Sequence, residues 1–115
     1  MEFDARTFRD ALGLFVTGVT VITARNEDGV PFGVTANSFN SVSMDPPLIL
    51  WSLSRASRNL AAFQAARHFC VHILREDQSA LSRRFAMSDA DKFEGMAFEP
   101  GEGGVPILPG SAARL

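Results

Sequence analysis

Apolar and polar residues repeat with two different periods along this chain, and the periods mark its elements. Near the start, Phe8, Leu12 and Phe15 stand at i, i+4 and i+7, which predicts one apolar stripe along a helix. Asp4 is placed to cap that helix and Gly18 to stop it. Residues 19–24 are β-branched and alternating, so they predict a strand. Asn26-Glu27-Asp28-Gly29 reads as a turn, and residues 30–36 return as a second strand with Pro31 near its start. The pair forms a hairpin.

Residues 37–43 are polar and hydroxyl-rich, interrupted by Phe39 and Val42. Asp45-Pro46-Pro47 must be extended or turning, because proline biases its predecessor away from helix. Residues 48–53 form a near-continuous apolar run, which predicts a strand buried on both faces. A loop at 54–57 leads to a short helix over 58–66, capped by Ser57, with Leu60, Ala61 and Phe63 turned inward. Residues 68–74 alternate again, with Phe69, Val71 and Ile73 on one face. His68, Cys70 and His72 take the other face, which is expected to meet solvent or a partner. Asp77 can cap a helix running through Phe85, with Leu81 and Phe85 on one side, and residues 89–93 suggest a further helical turn. Residues 100–104 are a Gly- and Pro-rich loop before the final stretch to Leu115.

Length changes the picture first: 115 residues make one domain, 1–115, with no linker or repeat to divide it. Apolar residues make up 46%, including ten Phe, enough for a packed core and against disorder. The net charge of −2 is spread without a basic stripe, which argues against nucleic acid. No apolar run approaches the ~20 residues of a membrane span, and no signal peptide opens the chain. With the lone Cys70 excluding an internal disulfide, the expected location is the cytoplasm. Short strands predominate and no strand–GxGxxG–helix unit exists, so a Rossmann fold is unsupported. Antiparallel strands closing into a small barrel suit the pattern better.

Three constellations could carry chemistry. Residues 35–43 gather hydroxyls, amides and backbone donors, which reads either as a polar strand edge or as a ligand cradle. Residues 52–58 combine Ser52, Ser54 and Ser57 with Arg55 and Arg58, a set that caps a helix or receives a phosphate. In Arg83-Arg84-Phe85, one arginine should face solvent, the other could reach a phosphate, and Phe85 could pack under a ring. The His68, Cys70 and His72 row is too small for a zinc site and lacks the supports of a nucleophilic pair, so no metal is expected.

These segments, in this order, resemble the flavin reductase family, the FMN-binding split-barrel reductases of two-component monooxygenases. The specific block is GVTANSFNSVSMDPPLILWSLSRASRNLAAF, at 33–63. FRDALGLFVTGVTVITA at 8–24, FCVHIL at 69–74, LSRRFA at 81–86, KFEG at 92–95 and GGVPILPG at 103–110 accompany it. The resemblance implies a mainly β, Greek-key split barrel with short helices that binds FMN or FAD as a homodimer. It implies an NAD(P)H:flavin oxidoreductase in which NADH or NADPH delivers hydride and the reduced flavin leaves for a separate monooxygenase. Carried over by position, Thr35, Ala36, Asn37, Ser38 and Ser41 line the isoalloxazine and ribityl chain. Ser52, Leu53, Ser54 and Ser57 surround the ribityl and phosphate. Arg84 and Phe85 close the phosphate end, and Phe69 and Cys70 neighbour the ring. No catalytic acid or base is assigned. Family members continue for several strands, so the chain is expected to lack the last strands of the barrel. Two other readings remain: a flavin-binding fragment without turnover, and a pyridoxamine-phosphate-oxidase-like FMN protein.

Overall fold

The computed structural model describes residues 4–15, 17–87 and 91–115, and its centre is a strand buried on both faces. That strand, β1 (Thr20–Arg25), pairs antiparallel with β2 (Pro31–Ala36) on one side and with β5 (Cys70–Ile73) on the other. The hairpin turn is built as expected: the Asn26 side chain accepts from the backbone N–H of Asp28 and Val30, both at 2.9 Å, and Gly29 takes φ 79°. A short β8 (Ala113–Arg114) completes a sheet of order β2-β1-β5-β8. This sheet does not close into a barrel among the described residues.

Strand periodicity sends Val21 and Ile22 to opposite sides, and each founds a core. Val21 packs with Phe85, Phe93 and Leu108, and Ile22 with Val34 and Val71. The first core is covered by α3 (Ser79–Ala86), whose Leu81 and Phe85 both face it. The second is covered by Ile49, Trp51 and Leu53, and by Phe63 of α2 (Leu60–Ala65). Phe63 stands edge-on to Phe32 at 4.6 Å and to Trp51 at 4.9 Å.

Several expectations need correction. The apolar run at 48–53 is not buried on both faces. Its strand, β4 (Pro47–Leu50), pairs only with β3 (Asn40–Met44), and this hairpin stands off the main sheet. Alternate residues turn inward, leaving Leu48 and Leu50 at 48% and 56% exposure. Conversely, His72 and Cys70 do not face solvent. β5 lies inside the sheet, and both side chains are buried. α1 (Ala5–Gly13) is capped by Asp4, which accepts from the Thr7 N–H at 2.7 Å, but it ends at Gly13 rather than reaching Gly18. In α2, Ala61 points outward and Asn59 is the cap residue; Ser57 accepts from the Asn59 N–H instead. Asp77 does not cap α3: it pairs with Arg75 at 2.6 Å, beside a 3₁₀ turn at Glu76–Gln78. Of the expected turn at 89–93, Asp89 and Ala90 lie outside the described residues.

The segment from 99 to 108 contains a small hairpin of β6 (Glu99–Pro100) and β7 (Pro106–Ile107). Side chains of the central strands hold it by its main chain. Thr23 donates to the Pro106 carbonyl at 2.6 Å and Arg25 to the Gly104 carbonyl at 2.6 Å. His72 accepts at Nε2 from the Leu108 N–H at 3.0 Å. Among the described residues no helix is long and apolar enough to cross a membrane.

Candidate functional site

A cleft of about 530 Å³ opens where the end of β2 faces the chain leaving β4. That volume lies within the range of small-molecule and cofactor sites. β2 delivers Thr35 and Ala36 to its wall, and the chain continues directly into Asn37 and Ser38. Across from them stand Ser52, Leu53, Ser54 and Ser57, and Phe85 contributes from the end of α3. Most of the residues expected from sequence are therefore gathered around one cavity.

Hydrogen bonds fix its shape. Ser38 Oγ donates to the Ser52 carbonyl at 3.3 Å and accepts from the Ser52 N–H at 2.9 Å, clasping the two sides together. Thr35 donates to the Ser82 carbonyl at 2.5 Å and so ties β2 to α3. Ser54 and Ser57 each accept from a backbone N–H of their own loop, at Ala56 and Asn59, both 3.2 Å. These bonds fold the loop that lines this side of the cleft.

Four expected residues lie elsewhere. Ser41 sits on the exposed β3–β4 hairpin. Phe69 stacks edge-on against Trp51 at 5.7 Å and, with Cys70, borders a separate groove near Arg114. Cys70 is buried, and burial pushes its thiol upward from its ordinary range. Arg84 is turned away from the cleft: its Nε donates to the Lys92 carbonyl at 2.5 Å and its Nη2 to the Glu94 carbonyl. Phe85 does reach the wall, but its ring belongs to the core, 5.2 Å from Phe93.

Sequence reasoning left out other lining residues, among them Val34, Ala56, Asn59, Met87 and Lys92. The signal for Lys92 was present in the KFEG block, which carried no assigned role. Its Nζ donates to the Gly33 carbonyl at 3.1 Å and the Phe85 carbonyl at 3.0 Å. Burial holds its pKa below the usual lysine range. Arg58 also borders the cleft, from the opposite loop.

Comparison with known proteins places this arrangement. The flavin reductase like domain model matches residues 12–115. FMN reductase (NADH) SmoA of Agrobacterium fabrum is 49% identical over 97% of this chain and 63% of its own length. The reductase subunit HsaB of a flavin-dependent monooxygenase from Mycobacterium tuberculosis is 45% identical over 99% of this chain and 60% of its own. The structure of the NADH:FAD oxidoreductase SgcE6 from Streptomyces globisporus, in complex with NAD and FAD fragments, superposes with a TM-score of 0.90. It is 35% identical, over all of this chain and 72% of that one. The chain thus spans about 60% of the length of curated relatives such as SmoA and HsaB. The mainly β, split-barrel architecture is the fold shared with these structures. By the matched model and by these relatives, the chain belongs to the flavin reductase like domain family.

Proposed function

We propose that the chain, as one unit from 1 to 115, forms the flavin-binding part of an NAD(P)H-dependent flavin reductase. One observation carries this reading: Thr35, Asn37 and Ser38 face Ser52, Ser54 and Ser57 across a single cleft of cofactor size. A flavin fits that donor set. Its polar ring edge needs amide, hydroxyl and main-chain partners, its body needs apolar walls such as Val34 and Leu53, and its phosphate needs hydroxyls and cations. The bound flavin, FMN or FAD, would supply the hydride-accepting chemistry toward NADH or NADPH. The protein's part is to orient and enclose. The Ser38–Ser52 clasp sets the width of the cleft, Asn37 offers its amide, and the 54–57 hydroxyls face the phosphate.

The name of HsaB, the reductase subunit of a monooxygenase, supports supply of reduced flavin to a separate monooxygenase, and that of SmoA supports NADH as the hydride donor; the cytoplasm, where nicotinamide cofactor is at hand, is the proposed location. Exposed apolar side chains support a homodimer. Leu14, Phe15 and Met44 are 84%, 75% and 91% exposed, and a second copy would cover such surface.

NADH oxidation by the 115-residue chain, with and without FMN, tests the reading. Turnover that requires FMN is the expected result; FMN binding without turnover would reduce the proposal to a binding unit. Asn37→Ala is expected to weaken FMN binding by about 1–3 kcal/mol in calorimetric titration, with the unfolding midpoint unchanged. Unaltered affinity in that variant would remove Asn37 from the cradle.

A further inference from the structure

Thr23, Arg25 and His72 share one face of the central sheet. Thr23 and Arg25 follow Val21 at every second position of β1, and His72 stands opposite Val21. Each holds the main chain of the segment that crosses this face: Arg25 at the Gly104 carbonyl, Thr23 at the Pro106 carbonyl and His72 at the Leu108 N–H. The β6–β7 hairpin is otherwise bonded within itself, with the Gly101 N–H donating to the Val105 carbonyl at 2.7 Å and the Gly104 N–H to the Gly101 carbonyl at 3.0 Å. Its flanks, Phe98 and Leu108, both pack in the first core. The hairpin is therefore a strap with two seated ends, and its middle can lift while both ends stay in the core.

The His72 bond differs in kind from the other two. Thr23 and Arg25 donate, and neither titrates near neutrality. His72 accepts, at Nε2. A proton there turns the acceptor into a donor aimed at another donor 3.0 Å away. The other tautomer offers no escape, because Nδ1 is committed to the Val21 carbonyl at 3.0 Å. The surroundings do not hold an imidazolium. Cys70 Sγ lies 3.6 Å from Nε2, and the Arg114 charge of β8 opposes a second cation. Val21, opposite His72, brings the rings of Phe85 and Phe93 to this face. Arg25 is committed to the Gly29 and Gly104 carbonyls. On the strap, Glu99 and Glu102 are exposed and neither bonds His72, while the ring of His68 lies against Gly103. Lifting the strap uncovers Cys70, which is 4% exposed and shares a groove with Gly101, Val105 and Ile107.

We propose that the β6–β7 hairpin is an acid-released strap, latched by neutral His72 over the groove at Cys70. This inference does not depend on the flavin reading. Burial holds the latched His72 below its ordinary pKa of 6.5, and lifting restores access to water. The lifted form therefore takes up the proton first. Opening rises as pH falls from 6.5 to the lowered value and levels off beneath it.

The test reads Cys70, the one cysteine of the chain, with a dipyridyl disulfide, which forms a mixed disulfide and releases one thiopyridone per thiol. The labelling rate of the native chain is divided by that of the urea-unfolded chain at the same pH, which removes the loss of thiolate in acid. This ratio should rise by up to roughly tenfold per pH unit as pH falls below 6.5. Amide exchange at Leu108 should rise with it, and both should run ahead of exchange at Ile22 and Val34 in the second core. His72→Gln, which supplies an acceptor that does not titrate, should keep the ratio low and flat. A ratio that ignores pH, or one that keeps its slope in His72→Gln, would overturn the proposal. So would exchange at Ile22 and Val34 that matches Leu108, since acid would then open the whole sheet and not the strap. If His72→Gln does not fold, Thr23→Val decides. It removes another bond of the strap without touching the titrating group, and should raise labelling at every pH with the parent's slope. Unchanged labelling in that variant would overturn the strap.

Discussion

Replacing His72 with leucine is expected to lower the unfolding free energy by about 2–3 kcal/mol and to flatten its dependence on pH. The imidazole is fully buried. Its Nε2 accepts from the Leu108 N–H at 3.0 Å, so the proton sits on Nδ1 and is donated to the Val21 carbonyl at 3.0 Å. Leucine fills similar space but leaves the Leu108 N–H buried without its acceptor. The pH effect follows from the same geometry. Burial, aided by the Arg114 charge, holds the His72 pKa below its ordinary 6.5, and the bond to Val21 only partly opposes this. The folded state therefore resists the proton that the unfolded state accepts. The contribution of neutral His72 is complete above pH 6.5 and is lost as pH falls from there through the lowered folded value. Cys70, 3.6 Å from the ring, stays un-ionised throughout this window, since its own pKa is raised. Urea unfolding on either side of pH 6.5 measures both effects. A parent whose midpoint does not fall on acidification, or a variant that keeps the parent's slope, would discard this account.

Gly33→Ala is expected to cost about 1–3 kcal/mol and to weaken flavin binding as well. A methyl group there would lie 2.9 Å from the Ile22 carbonyl oxygen and 2.9 Å from Phe85 Cε1. Neither can easily yield: one is the main chain of β1, the other a ring 1% exposed and packed on Phe93. Relief must come from separating β2 from both β1 and α3. That movement pulls the Gly33 carbonyl from Lys92 and shifts Phe85, both at the cleft. Chemical denaturation with FMN titration on the same samples reads the two losses together. An unchanged midpoint would show that the sheet and helix can part there at no cost.

Much of this was legible in the residues, and the gaps have physical causes. The β1–β2 hairpin is local: its turn residues and alternation fix its register without help from distant chain. The gathering of 35–38 and 52–57 around one cleft was foreshadowed in the sequence, because hydroxyls and an amide cluster in those two stretches. The misread positions depend on long-range packing. An apolar run such as 48–53 looks buried whether it enters a sheet or stands in an outlying hairpin, and only the fold decides. The burial of His72 follows from β5 having neighbours on both sides, one of them formed by residues some forty positions later. Arg84 and Lys92 show the same limit at the site. Both are cations near the same turn, and sequence alone does not say which one the backbone carbonyls claim.

The double burial of β1 has a consequence for how the molecule moves. Val21 serves one core and Ile22 the other, so loosening either side exposes the strand on which the second side rests. The two cores form a single cooperative unit, and partial opening is confined to what lies outside it. The β3–β4 hairpin is hydrogen-bonded only within itself and meets the second core through Ile49. The cleft is then bounded on one side by the cooperative unit, at 34–36, and on the other by a chain segment joined to it through the Ser38–Ser52 clasp.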